Sequence, residues 1–283
     1  MKGDRIGAHM SMAGGYLKAW ERALAVGCQA LQIFTKNNMQ WNAASVSEKA
    51  AEAFRKKTSE LQMPVCAHSS YLINLGTRNL LTSRRSVRAL QDEMQRAEML
   101  GIPFLVLHPG SHLGAGEASG IKTIAANLKS ILKNCRARKV RIALETTAGQ
   151  GNTIGHRFEH LSAICEKVGM PSRIGFCFDT CHVFAAGYDI SKPRSLARTL
   201  RDFDRLLGLD RILLFHFNDS KTGLGSRVDR HQHIGKGHIG IEPFREILNA
   251  RAFARIPKIL ETPKGDNGRE DINNLKVLRN LLR

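Results

Sequence analysis

Five histidines and four carboxylates stand at or just beyond the ends of apolar runs along the whole chain: His68, His108, Glu145, Asp179, His182, His216, Asp229, His231 and Glu261. Imidazole nitrogens and carboxylate oxygens hold borderline divalent cations, and several such groups together make a hydrolytic centre. Any one of the nine, taken singly, reads better as a hydrogen-bonded loop residue or a helix cap. Their joint placement reverses that reading. Val65-Cys66-Ala67-His68, Leu105-Val106-Leu107-His108 and Leu213-Leu214-Phe215-His216 finish in histidine. Ile142-Ala143-Leu144-Glu145, Phe176-Cys177-Phe178-Asp179 and Lys258-Ile259-Leu260-Glu261 finish in a carboxylate. Independent accidents do not all fall at the same end of the strands. Charged groups packed so closely repel one another unless cations lie between them. The nine ligands suit about three cations, with one carboxylate bridging and water filling the remaining positions. The mixed donor set favours zinc, with Mn2+ or Fe2+ as substitutes, over magnesium, which prefers oxygen.

Such residues meet only if the strand ends converge. Apolar runs at 6–9, 30–35, 65–68, 104–108, 141–145, 175–179, 212–217 and 258–261 read as strands, apolar on both faces as parallel strands under helices are. About eight is the number a closed (β/α)8 barrel needs, and catalysis in that fold sits at the C-terminal mouth. Between the strands lie helical patterns. Ser83 reads as the cap of one, where Val87, Leu90, Met94 and Ala97 recur at spacings of three and four before Gly101-Ile102-Pro103 stops it. Similar patterns cover 117–135, 156–168, 194–207 and 271–282. The expectation is one α/β TIM barrel over residues 1–283 with the metal centre at the mouth; a doubly wound open sheet is the runner-up. Residues 218–240 form the main irregularity, holding Gly223, Gly225, Gly235, Gly237 and Gly240, and a loop of that length in a compact domain is usually functional.

The chain has 283 residues and a formal charge of +18, so a polyanion, nucleic acid first, is the natural partner. No apolar run reaches the ~20 residues of a membrane span, and the charged start from Met1 to Arg5 does not read as a secretory signal. The six cysteines show no Cys-x-x-Cys pair and read as reduced thiols of a cytoplasmic protein. Cys177 and Cys181 flank Asp179 but read as small buried residues rather than ligands. His9 also ends a strand and is a candidate to support the site from behind. His112, His156, His160, His233 and His238 are given no ligand role.

The segment His68-Ser69-Ser70-Tyr71-Leu72-Ile73-Asn74 resembles the first signature of the endonuclease IV family of apurinic/apyrimidinic endonucleases. Phe176-Cys177-Phe178-Asp179-Thr180-Cys181-His182 resembles the second, and His216-Phe217-Asn218-Asp219-Ser220-Lys221, continued by Gly225 and Asp229-Arg230-His231, resembles the third. His108-Pro109-Gly110 and Glu261-Thr262-Pro263 match as well. The resemblance implies a TIM barrel with three zinc ions per chain. Carried over, His68 and His108 bind one zinc, with Glu145 bridging to a second. Asp179, His216 and Glu261 complete the second; His182, Asp229 and His231 bind the third. It implies cleavage 5′ to an abasic site in double-stranded DNA, leaving a 3′-hydroxyl, and clearing of blocked 3′ ends. Glu145 and Glu261 act with a metal-bound hydroxide. Tyr71 and Leu72 match positions that enter the DNA. The stretch from Thr35 to Trp41 resembles a second penetrating loop, with Met39 where an inserting arginine can occur. Lys36, Lys221, Arg227 and Arg230 are expected on phosphates. The protein is expected to act as a monomer, away from membranes.

Two other functions compete. Glu145, Asp179, His216 and Glu261 suffice for the single metal of a sugar isomerase or epimerase, but that leaves His182, Asp229, His231 and the basic charge without a purpose. A non-catalytic DNA-binding barrel has no need to hold so costly a set of charges together.

Overall fold

The computed structural model describes residues 4–265 and 267–283, so the first three residues of the charged start lie outside it. Eight parallel strands run in chain order: β1 (Ile6–His9), β2 (Leu31–Phe34), β3 (Val65–His68), β4 (Phe104–Leu107), β5 (Arg141–Glu145), β6 (Ile174–Asp179), β7 (Ile212–His216) and β8 (Lys258–Leu260). Each pairs with its sequence neighbours, and β8 closes onto β1 with Ile6 opposite Lys258 and Ala8 opposite Leu260. The result is the expected closed barrel, not an open sheet. His108 and Glu261 fall one residue past their strands, and β2 and β7 are likewise shorter than the runs 30–35 and 212–217 suggested.

Helices α1 (Tyr16–Ala25), α2 (Glu48–Leu61), α3 (Leu80–Met99), α4 (Glu117–Asn134), α5 (Phe158–Val168), α6 (Thr180–Ala185), α7 (Pro193–Leu207), α8 (Glu242–Asn249) and α9 (Arg269–Arg279) fill the connections among the described residues. No helix among them is long and apolar enough to cross a membrane. The start of α3 corrects one expectation. Ser83 is not its cap; Asn79 is, its side-chain oxygen accepting from the Thr82 amide at 3.0 Å. Leu80 and Leu81 face solvent, so the apolar periodicity begins a turn late and hides the true start.

The pleat of the strands decides what faces the barrel axis. Side chains alternate, so a residue two positions on points the same way. Cys66, Val106, Ala143, Cys177, Leu214 and Ile259 pack together as one buried cluster inside the barrel. Two residues beyond them stand His68, His108, Glu145, Asp179, His216 and Glu261. Small apolar side chains therefore plug the barrel and the polar row lies directly above. The other two strands follow the same rule, with His9 two beyond Gly7 and Gln32 two beyond Ala30. Gly7 is required there, since a Cβ at that position would lie 1.8 Å from the Ala30 carbonyl oxygen. A larger cluster fills the layer between strands and helices, around Trp20, Phe54, Phe158, Phe203 and Phe244.

The long segment after β7 is tied down rather than slack. Asp219–Ser220 pairs antiparallel with His231–Gln232. The buried Asp219 carboxylate accepts from the amides of Ser220, Ile239 and Gly237 at 2.8, 2.9 and 3.0 Å. A side chain at Gly237 would drive its Cβ to 2.3 Å from the Ser220 carbonyl. This fold-back aims Asp229 and His231 at the mouth.

Candidate metal centre

All nine expected ligands meet in one bowl at the C-terminal end of the barrel. Oε2 of Glu145 faces Nε2 of His68 at 3.2 Å and Nε2 of His108 at 2.9 Å. Its other oxygen faces Nδ1 of His216 at 2.8 Å. That same nitrogen lies 3.1 Å from Glu261 Oε2 and 3.7 Å from Asp179 Oδ2. On the outer side, Asp229 stands 3.1 Å from His182 Nε2 and 3.4 Å from His231 Nε2. Asp179 Oδ2 lies 3.8 Å from His231 Nε2, which joins the outer group to the inner ones. Glu145 thus lies between the first group and the second, one oxygen turned to each.

Proton placement distinguishes a cation site from a set of ion pairs. Nδ1 of His68, His182 and His231 each lies against a backbone carbonyl, of Ser69 at 2.7 Å, Thr146 at 2.9 Å and Glu261 at 3.0 Å. A ring nitrogen held against a carbonyl carries the hydrogen and donates it, leaving Nε2 as a bare lone pair. His216 is held the other way round, with Nε2 donating to Gln32 Oε1 at 2.9 Å, so Nδ1 is the nitrogen that gives up its proton to a metal. In the neutral rings each free lone pair points at carboxylate oxygens, and those of His182 and His231 also face each other at 3.4 Å. Lone pairs facing anions and one another call for positive charge between them. Two ligands on a tetrahedral zinc, with bonds near 2.05 Å, stand about 3.3 Å apart. The donor spacings here bracket that value, so the residues fit divalent cations.

Buried amides hold the ligands in place. Gln32 donates to Glu261 Oε1 at 2.6 Å while it accepts from His216, and it also contacts His9 Nδ1 at 2.9 Å. Asn218 donates to Asp179 Oδ2 at 2.7 Å and accepts from the Glu261 amide at 2.9 Å. Asp179 caps α6, its Oδ1 accepting from the His182 amide at 2.8 Å. Sequence reasoning named His9 and missed Gln32 and Asn218. A lone glutamine at the inward position of an apolar strand was the available signal for Gln32. Asn218, just past its strand, lies within the third signature, but only the fold shows what its side chain holds.

Charge follows the same geometry. With no metal bound, burial opposes ionisation of Glu145, but the imidazoles of His216 and His108 outweigh it and hold the carboxyl well below its usual range. Burial also works against a proton on His216, yet the Glu261 and Glu145 carboxylates push its pKa up to about 9. His182 is raised against burial by Asp179 and Asp229. Cys177 and Cys181 lie within reach of these donors. Burial, then the neighbouring carboxylates, keeps both as thiols, with Cys181 pushed up to about 12.

The rim differs from the floor. Tyr71 is 56% exposed, its ring centroid 5.3 Å from that of His68 and 6.0 Å from that of His108. Leu72 beside it is half-buried and Met39 is exposed. Lys221, Arg227 and Arg230 are on the folded-back segment, Lys221 and Arg230 exposed and Arg227 with them. Lys36 corrects an expectation. It is buried, its Nζ donating to the Trp41 carbonyl at 2.9 Å and lying 3.2 Å from Asp92 and 3.5 Å from Glu93. An ammonium already paired inside the protein does not meet a phosphate, and Lys36 instead braces the loop that carries Met39.

Residues 20–281 match the family described as Xylose isomerase-like TIM barrel. A protein of Geobacter sulfurreducens named probable endonuclease 4 is 48% identical over 99% of this chain and 95% of its own length. One of Chloroflexus aurantiacus with the same name is 47% identical over 98% of both chains. Among solved structures, endonuclease IV from Thermus thermophilus superposes with a TM-score of 0.87 at 36% identity, covering 98% of each chain. A D-tagatose 3-epimerase-like protein reaches 0.73 at 17% identity over 97% and 96%, which is a likeness of fold alone.

Proposed function

The chain belongs to the endonuclease IV family, and from that premise we propose that it is a DNA-repair endonuclease that hydrolyses the phosphodiester 5′ to an abasic site. In this reading residues 1–283 form one catalytic domain that acts as a monomer in the cytoplasm, where its unpaired cysteines stay reduced. The product is a 3′-hydroxyl, and the same chemistry clears blocked 3′ ends.

The observation that carries the reading is the meeting of nine ligand side chains in one bowl around Glu145 and Asp179, with imidazole nitrogens aimed at carboxylates. We assign His68 and His108 to a first zinc, Asp179, His216 and Glu261 to a second, and His182, Asp229 and His231 to a third, with Glu145 joining the first two. When bound, such cations polarise phosphate oxygens, make hydroxide available near neutral pH and balance charge on the departing oxygen. The chain does the rest. Glu145 and Glu261 hold negative charge where the imidazoles need it. Gln32 and Asn218 keep the second group from shifting as a phosphate enters. No side chain is needed as a nucleophile.

Lesion recognition falls to the rim. An abasic nucleotide lacks stacking and pairing, so it leaves the helix more cheaply than an intact one. Tyr71, over the first metal group, and Leu72 beside it in sequence fill the gap, and Met39 wedges from the neighbouring loop, which the Ser70 hydroxyl ties on at the Asn38 carbonyl. Arg230, with Lys221 and Arg227, meets the backbone phosphates. The test is nicking of a duplex bearing a single abasic site. Cleavage that stops with chelator and returns with zinc supports the reading; cleavage indifferent to chelator contradicts it.

A further inference from the structure

A second constellation of ligand atoms lies outside the bowl. Glu117 opens α4, His156 follows the short Thr153–Ile154 strand, and His160 sits in the first turn of α5. Nε2 of His160 is 3.3 Å from Glu117 Oε2, and Nε2 of His156 is 3.5 Å from Oε1. The two rings meet edge to face with centroids 4.7 Å apart. One ligand atom from each residue lies within 4.8 Å of the other two. Sequence alone offers neither histidine a partner, because Glu117 belongs to a different connection.

Two observations set this cluster apart from an ordinary ion pair. His156 is 6% exposed, and its Nδ1 donates to the Thr153 carbonyl at 3.0 Å. Its Nε2 is then a bare lone pair, buried and without a hydrogen-bond partner. A buried nitrogen left in that state costs free energy unless something fills the space before it. The His160 ring, for its part, is kept neutral by burial and by the neighbouring His156. Its Nδ1 accepts a long 3.4 Å hydrogen bond from the Gly155 amide, so in the metal-free ring the hydrogen sits on Nε2 against Glu117, and a metal at Nε2 moves it to Nδ1 at the cost of that weak contact.

We propose that Glu117, His156 and His160 form a separate site for one divalent transition-metal ion of the zinc class. Two imidazoles and a carboxylate are a donor set that holds zinc or ferrous iron with the remaining positions left to water. Glu117 is 44% exposed, which gives water a way in. The role is structural. The ion clips the β4–α4 connection to the β5–α5 connection, beside the pairing of Gly110–Ser111 with Thr153–Ile154. The first connection starts at His108 and the second at Glu145, so a clip here steadies two ligands of the first metal group from outside the bowl.

The experiment counts zinc. Metal-free protein is saturated with zinc, dialysed against a weak chelator and analysed for metal, alongside Glu117→Gln and His156→Phe. One equivalent fewer in both variants, with unchanged far-ultraviolet circular dichroism, is the expected result. Glu117→Gln alters a half-exposed side chain and keeps the test sound if His156→Phe folds poorly. Diffraction at the zinc absorption edge is expected to place an anomalous peak between the three residues. Equal metal counts and no peak overturn the proposal and leave a proton-held ion pair. Failure of the three-zinc reading changes the total in unaltered protein and leaves the difference between proteins untouched.

Discussion

The floor of the bowl and its rim are built on different principles. On the floor, strand pleating places six of the nine ligands two residues above a packed apolar side chain, and buried amides or backbone carbonyls fix His68, His182, His216, His231, Asp179 and Glu261. On the rim, Tyr71, Met39 and Arg230 project into solvent from loops, and among the described residues the Arg230 guanidinium donates only to the Asp229 carbonyl, at 2.7 Å. The contrast separates chemistry from recognition. A floor that must hold several charges near each other tolerates no play. A rim that must enter a distorted duplex needs reach and exposed apolar surface instead.

The comparison is broken most severely on the floor. Glu145→Gln removes the charge that faces the imidazoles of His68, His108, His182 and His216. It is expected to lower abasic-site nicking by on the order of 10^3-fold or more and to cut zinc content, because metal-assisted catalysis rests on that carboxylate. Steady-state nicking and elemental analysis on one preparation check it; near-normal activity would remove Glu145 from the centre. Asn218→Ala leaves every ligand in place and removes the support of Asp179 and Glu261. Losing such a partner is expected to weaken zinc affinity by roughly 10–100-fold. Competition with a chromophoric chelator measures it, and an unchanged affinity would mean that the pleat alone suffices.

The pH dependence of metal binding sharpens the same half. The pKa of His216 is raised to about 9 in metal-free protein, above its usual 6.5. Its proton therefore stabilises the metal-free fold fully below about 6.5 and ceases to do so as pH rises through about 9. At pH 7 zinc must displace that proton and the one on His182, so about two protons should leave on loading. Calorimetry in two buffers of different ionisation enthalpy reads the number. Apparent affinity should climb with pH towards 9, and a flat profile would contradict the assigned proton positions.

Rim substitutions are expected to be milder. Tyr71→Ala should raise KM for the abasic duplex by roughly 10-fold with little change in metal content, since a stacked aromatic contributes ~1–3 kcal/mol. A loss confined to kcat would return Tyr71 to the floor. Smallest is the contrast between Arg230 and Lys36. Arg230→Ala should lower the salt slope of DNA binding by about one phosphate contact. Lys36→Met should leave that slope alone and cost about 3 kcal/mol of stability, the low end for breaking a buried pair, because Glu93 already titrates near 7 and can take up a proton.

The floor was far more legible in the sequence than the rim or the supports. Ligands at strand ends announce themselves jointly, because histidines and carboxylates close six of the apolar runs and a barrel makes such residues converge. The barrel itself followed from counting strands. Lys36 failed because charge and loop position say nothing of a carboxylate pair, Asp92 and Glu93, waiting on α3. Ser83 failed because Leu80 and Leu81 break the apolar period on an exposed turn. Asn218 and the Glu117–His156–His160 cluster were out of reach for the same reason: each acts through partners distant along the chain.

The most direct test is a zinc titration of metal-free Glu117→Gln protein, which removes the outlying site from the count, read out by nicking of a duplex with one abasic site. A centre that works through three cations predicts that activity stays low at first and reaches its plateau only near three equivalents. Full activity at a single equivalent, with no further binding, would contradict it and return the bowl to single-metal chemistry.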